Sequence, residues 1–430
     1  MRSAPDGAQR PVALDDATDP GNLVKTGLKR WFFTPPRQHG EVDYSRRVSY
    51  LELFYDLVFV VLIGRAAHGL VGHISTQGVY EFAVVFGLIW LSWFNGTLWH
   101  ELHGRQDGRS RLNVFAQMGF LAVLAVFTEE AAGADGPAFI RTLAALFVFL
   151  TWQWYRVQQA DEDPHYLPRT RAYISGMLAT VAVFIGSSFL ESSDSRLWIW
   201  SAVVVLWTVG GFTLSSADQT AGFGDGVTES LVERFGLFTI IVLGEAVIGV
   251  VGGISDSPGR DAYTIAVGVV GLAISMGIWW TYFDLLGARV PSRTGPRLGA
   301  WMTIHLPMSM AIAATGPAIT LLIEHADSGE LPEGAATLLG ACLAVVLLGI
   351  WCATLALPDT QFPPGVRRHI APVLCGAAAL TIGIGVWAPS ALLIFLLMYV
   401  VLFAQWFWLV VIYLAHGGVL PGTVESASQP

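Results

Sequence analysis

Apolar residues fall in twelve long runs separated by short polar gaps: 50–73, 79–101, 112–131, 138–158, 172–190, 197–216, 231–254, 262–284, 299–323, 335–357, 370–388 and 391–415. A run of about 20 apolar residues crosses the hydrocarbon core of a bilayer as a helix, and a helix satisfies its own backbone hydrogen bonds there. The pattern predicts an all-α, polytopic integral membrane protein with about twelve transmembrane helices. Basic residues crowd into alternate gaps, at Arg105, Arg109 and Arg111, at Arg169 and Arg171, at Arg289, Arg293 and Arg297, and at Arg367 and Arg368. The intervening gaps hold only Arg196 and Arg260. Short loops rich in Arg and Lys stay in the cytoplasm, so the alternation predicts a cell (inner) membrane protein with both termini cytoplasmic. An odd number of spans would break it. Three regions follow: a cytoplasmic arm over 1–49, a transmembrane domain over 50–415, and a disordered cytoplasmic tail over 416–430. Residues 1–20 read as disordered, and Trp31, Phe32 and Phe33 beside Lys29 and Arg30 read as a segment lying on the membrane surface.

Weak internal similarity divides the transmembrane domain into halves, 50–216 and 231–415. Glu52-Leu-Phe54 recurs as Glu233-Arg-Phe235 after 181 residues, Glu101-Leu-His-Gly104 as Asp284-Leu-Leu-Gly287 after 183, and Arg111-Leu112 as Arg297-Leu298 after 186. Six spans per half is an even number, so the halves share one orientation, a parallel 6+6 repeat of the kind built around a central site in secondary transporters. The gap 217–230, with Asp218, Asp225 and Glu229 and no basic residue, departs from the charge alternation and reads as a plain loop.

Composition narrows the classes. The chain is 53% hydrophobic and 13% charged, with a mean hydropathy of +0.55, against about 25% charged in soluble domains. A separate soluble domain has no room, and the net charge of −9 comes with no basic patch beyond the loops, so nucleic acid is not an expected partner. The expected partners are the lipid bilayer and a small solute or ion. Cys342, Cys352 and Cys375 all lie inside spans with no CxxC pair, so no disulfide framework, metal site or cofactor is expected. Lysine occurs only at positions 25 and 29, which excludes a retinal protein, and no HExxH, P-loop or GxSxG string occurs.

Charged groups within spans are costly, so each must pair, protonate or meet water. Glu52 and Asp56 in the first span are four residues apart, on one face of a helix. Arg65 lies about 20 Å farther along the same helix, and Glu245 of the seventh span falls at a comparable depth. Gly64-Arg65 aligns with Gly244-Glu245 after a one-residue slip in the repeat, which predicts an Arg65–Glu245 ion pair between neighbouring first and seventh spans. Its alternative is a structural pair with no part in transport. His305 precedes Pro307, which removes a helix hydrogen bond and predicts a kink in the ninth span. Glu245, Arg65 and His305 are expected to line one cavity between the halves. Glu52, Asp56, Glu233 and Asp284 complete the expected ion or substrate pathway, with Asp284 and Glu101 solvated or held by Arg289 and Arg105. Asn95, Asn113, Gln117, Gln153 and Gln405 read as interhelical hydrogen-bond formers.

Four segments carry a family resemblance. Glu52-Leu-Phe-Tyr-Asp56-Leu-Val-Phe-Val, Glu233-Arg-Phe-Gly-Leu-Phe-Thr-Ile-Ile-Val-Leu-Gly244-Glu245, Trp280-Thr-Tyr-Phe-Asp284 and His305-Leu-Pro307 resemble signatures of the bacterial low temperature requirement protein A family over roughly residues 48–415. The resemblance implies a polytopic membrane protein. It names no chemistry, since the family's name records growth in the cold. The leading expectation is a secondary transporter or ion-coupled permease of a small solute and not an enzyme. The alternatives are a non-transporting membrane protein of stress adaptation, acting through lipids or partners, and an intramembrane enzyme using Glu52, Asp56 and His305.

Overall fold

A computed structural model of the chain describes residues 20–39, 41, 46–72, 74–161, 163–216, 228–287, 289–292, 296–327, 331–387 and 390–418, with the backbone alone described at 20, 21 and 211–216. Arg293, the segments 1–19 and 217–227, and the tail from 419 onward lie outside the described residues. Among the described residues there are thirteen α-helices and no strand: α1 (Pro20–Phe33), α2 (Tyr50–Val71), α3 (Thr76–His103), α4 (Gly108–Val126), α5 (Gly136–Ala160), α6 (Leu167–Ser187), α7 (Ser193–Ser216), α8 (Glu229–Asp256), α9 (Ala262–Tyr282), α10 (Pro296–Glu324), α11 (Ala335–Leu355), α12 (Arg367–Trp387) and α13 (Ala391–Ala415). A π-helical turn, Phe283–Gly287, extends α9. Among the described residues, ten helices are long and apolar enough to cross a membrane. The protein is a multi-pass membrane protein. With α4 and α7, the long helices number twelve, one at each apolar run.

Polar residues at the run ends start these helices. Ser49 and Glu52 form a reciprocal capping box on α2. Asp107, Thr228 and Asp261 cap α4, α8 and α9 by accepting from the first-turn backbone. Asp107 starts α4 four residues before its apolar run, and α4 stops at Val126 rather than 131 because the chain turns at 127–135. Pro307 and Pro317 both lie inside α10, which stays one continuous helix through them. The predicted kink is not a helix break.

Each half closes into a ring with the same order of neighbours. In the first half α2 packs on α3 and α4, α4 on α5, α5 on α6, α6 on α7, and α7 returns to α3. In the second, α8 packs on α9 and α10, α10 on α11, α11 on α12, α12 on α13, and α13 returns to α9. The halves meet where α8 packs on α2 and α3, and where α10 packs on α2, α3 and α7. α3 and α10 are the most enclosed helices. Polar side chains inside the bundle link helices as expected of interhelical hydrogen bonds: Gln117 Nε2 to Gln153 Oε1 (3.3 Å), Trp154 Nε1 to Asn95 Oδ1 (3.1 Å) and Gln405 Nε2 to Thr281 Oγ1 (2.6 Å). The three cysteines are free. α1 presents Leu23, Val24, Leu28 and Phe33 outward, while the Arg111 guanidinium sits 5.1 Å over the Trp31 ring and ties the helix to α4.

Candidate functional site

α2, α3 and α8 meet at one end of the bundle in a charged clasp. Glu52 and Asp56 are four apart on α2, and Ser230 and Arg234 are four apart on α8, so two rungs of one helix face two rungs of the other. In the outer rung, Arg46 reaches from the segment before α2 to both Glu52 and Glu101, the latter at the end of α3. Glu101 also accepts from the Thr228 backbone N–H (3.0 Å), the Thr228 hydroxyl (2.6 Å) and the Ser230 hydroxyl (2.5 Å). In the inner rung, Arg234 Nη2 lies 2.8 Å from Asp56 Oδ1, which also accepts from Trp93 Nε1 at 3.0 Å. The Arg234 and Asp56 side chains are both 0% exposed.

This inner rung holds more hydrogen-bonding capacity than it uses. Asp56 Oδ2, Arg234 Nε and Nη1, Tyr55 Oη and His100 Nε2 are buried with no hydrogen-bond partner among the described residues. Native interiors rarely leave such groups unmatched. On the deeper side, Trp93 stacks on Phe238 (4.1 Å between centroids) and meets Phe235 edge-on (5.1 Å), and Phe235 in turn packs on Trp301 and His305. An aromatic layer therefore separates the clasp from the interior.

Glu245 lies eleven residues beyond Arg234 on α8, about 16 Å along the axis. It is 4% exposed, and its Oε1 has no hydrogen-bond partner among the described residues. α2 and α8 are neighbours, as expected, but the Arg65–Glu245 pair does not form. Arg65 Nη1 instead binds Glu129 Oε2 at 2.7 Å, in the turn after α4, with the Arg65 side chain 47% exposed. What faces Glu245 is Gly64, where a Cβ would stand 3.2 Å from Oε1. His305 is also elsewhere: its Nδ1 donates to the Trp301 carbonyl (2.7 Å) and its Nε2 accepts from the Tyr282 hydroxyl (3.1 Å). It stands eleven residues before Gly316, the α10 residue packed against Glu245. Arg65, Glu245 and His305 thus occupy three separate surroundings rather than one cavity. Glu52, Asp56 and His305 are likewise held by different partners, and no group of three or more His, Cys, Asp or Glu able to hold a metal occurs among the described residues.

Glu233 turns outward from the clasp. With Glu229, Val232, Gly236, Phe283 and Val290 it lines a groove of about 360 Å³ between α8 and the π-helical turn. Asp284 accepts from Trp406 Nε1 on α13 at 2.6 Å, while Arg289 donates to the Asp284 backbone carbonyl. Arg105 pairs with Glu41 rather than Glu101.

The profile of the family described as bacterial low temperature requirement A protein matches residues 47–415. The chain belongs to this family. A curated relative, the uncharacterized protein RA0937 of Rhizobium meliloti (strain 1021), is 26% identical over 245 residues, 55% of this chain. The alignment spans 58% of that relative's length, so only part of it is compared. Within this chain, the two longest segments of family resemblance are on helices that meet: Glu52 and Asp56 on α2, and Glu233 to Glu245 on α8. Arg46, Arg234 and Thr228 are clasp residues to which the sequence pattern assigned no role, and Glu101, expected to be solvated or held by Arg105, is held there by Arg46. Arg234 carried a legible signal, being an arginine inside the start of a span with no assigned partner, while Asp56 on the expected neighbouring span also lacked one.

Proposed function

We propose that this protein is a secondary transporter or ion-coupled permease of a small solute, lying in the cell membrane with its arginine-rich end in the cytoplasm. The observation that carries this reading is the clasp. It joins two six-helix halves of like neighbour order, and among the described residues its inner rung keeps unmatched donors at Arg234 and Tyr55 and unmatched acceptors at Asp56 Oδ2 and His100 Nε2, whose Nδ1 already donates to the Gly96 carbonyl. A purely static brace favours full satisfaction of its polar atoms. A rung that exchanges partners with water or solute keeps some free. In this reading the outer rung, Arg46 with Glu52 and Glu101, is the cytoplasmic gate drawn shut, and the aromatic layer around Trp93 and Phe238 is the barrier behind it. Alternating access then parts α2 and α3 from α8. The test is purified protein in liposomes, with uptake of a panel of small solutes under imposed ion gradients and solute-dependent thermal stabilisation in parallel. Uptake or stabilisation by one chemical class is the expected result. Neither, across the panel, would favour the second reading, a non-transporting membrane protein acting through lipids or partners. The enclosed Asp56–Arg234 pair is the observation on that side, because such pairs also serve to hold one arrangement.

A further inference from the structure

We propose that Glu245 is a proton-binding site, and that it takes up and releases a proton as the two halves part. The inference rests on the transporter reading and supplies its coupling ion. Glu245 is 4% exposed and lies on α8 at the line where the halves meet. Its carboxyl group crosses that line. Oε1 and Oε2 stand 3.2 and 3.7 Å from the position a Cβ would take on Gly64 of α2, so the carboxyl fills the space a side chain would occupy. Behind it the backbone is pinned, since a Cβ on Gly316 of α10 would lie 2.6 Å from the Glu245 carbonyl oxygen.

The charged and titratable groups on every helix packed against α8 are otherwise engaged or distant. On α2, Arg65 and His68 both turn to Glu129, at 2.7 and 3.6 Å, and Glu52 and Asp56 belong to the clasp. α3 carries no charged residue from Phe82 to Trp99, and its His100 and Glu101 lie at the clasp end. α9 has none from Ala262 to Tyr282, with Asp284 beyond it bound to Trp406. α10 offers His305 at the level of Phe235, and Thr320 near Glu245 spends its hydroxyl on the Gly249 and Gly316 carbonyls. Among the described residues Glu245 can therefore change charge without breaking an ion pair. Its charged form calls for water or a counter-ion and its neutral form does not. Parting the halves and ionising Glu245 accordingly favour one another, which is the linkage a proton-driven cycle requires.

The test uses the full-length protein in liposomes and dicyclohexylcarbodiimide, a membrane-soluble reagent for protonated carboxyl groups, with the adduct read by peptide mass spectrometry. Glu245 is expected to be modified, with the yield falling roughly tenfold or more between about pH 5 and about pH 9. Glu245→Gln removes that adduct. Gly64→Ala, which crowds the carboxyl, is expected to move the midpoint of the pH profile, tying the titration to the contact across the line between the halves. The inference fails if Glu245 resists the reagent at every pH while still folded by thermal unfolding, if it reacts equally at all of them, or if sodium ions protect it at fixed pH. Uptake assays judge the transporter reading separately: pH-dependent modification without uptake of any compound would retire that reading and leave the proton site standing.

Discussion

Removing Arg234 strands the Asp56 carboxylate in a fully enclosed position with only the Trp93 indole for a partner. Losing one member of such a pair costs about 3–5 kcal/mol, whereas replacing both with apolar side chains of similar volume is often tolerated. Arg234→Ala is therefore expected to destabilise the protein strongly, and Arg234→Met with Asp56→Leu to recover much of the loss, as read by thermal unfolding in one detergent. Equal losses in the single and double variants would mean that packing around α8, not the stranded charge, sets the cost. The Arg65–Glu129 pair makes the contrast. Its side chains are 47% and 28% exposed and lie outside the close packing that encloses Asp56 and Arg234, so losing one member strands no fully enclosed charge. Arg65→Gln is expected to change stability by no more than about 1 kcal/mol. A loss as large as that of Arg234→Ala would show that Arg65 carries a burden the structure assigns elsewhere.

At the scale of elements, α8 and α10 lock together within the second half by approaching backbone to backbone. A Cβ on Gly249 would collide with the Gly316 carbonyl oxygen, and one on Gly253 would stand 2.7 Å from the Thr320 carbonyl oxygen. Small residues four apart on each helix, Gly249 and Gly253 against Gly316 and Thr320, allow this approach. In lipid such packing replaces the hydrophobic drive that water supplies to soluble helices. The Thr320 hydroxyl adds a hydrogen bond to the Gly249 carbonyl at 3.2 Å. Gly249→Ala should force the helices apart and cost about 1–3 kcal/mol. Gly244→Ala, on the same helix with nothing within 4 Å of the added carbon, should cost nothing measurable. A thermal unfolding series separates the two, and equal losses would point to helix flexibility rather than the crossing.

Among the described residues α2–α13 form two rings of six helices joined along α2, α3, α7, α8 and α10. The two ends of the molecule carry different loops. Arg105 pairs with Glu41, and Arg289 lies 4.7 Å over the Phe362 ring, which brings the α9–α10 and α11–α12 connections together at the arginine-rich end. At the other end, Gly334 before α11 packs beside Ile74 before α3. If the arginine-rich end faces the cytoplasm, single cysteines at Arg105, Arg169 and Arg367, in a background lacking Cys342, Cys352 and Cys375, should resist an impermeant thiol reagent on intact cells. A cysteine at Arg260 should react. The reverse pattern would invert the protein and place the clasp on the outside.

The membrane class, the twelve long helices, the family and the pairing of α2 with α8 were legible in the sequence. The first two follow from apolar run length, the family from four motif segments, and the pairing of α2 with α8 from a repeat that keeps its order. The polar contacts of the interior were not legible, because they depend on how each helix is rotated about its own axis. One residue along a helix turns the side chain by about 100°. Gly64 faces Glu245, and Arg65, the very next residue, faces α4 and takes Glu129 instead. Depth alone matched Arg65 with Glu245, but rotation separated them. The same geometry turned Arg234 inward to Asp56 and its neighbour Glu233 outward to the groove. Sequence set which helices carry the charges and how far along each helix they lie; the packing angles of α2, α8 and α10 decided which of them find partners and, among the described residues, left Glu245 Oε1 without one, because helix rotation answers to close contacts along a whole crossing and not to any single residue.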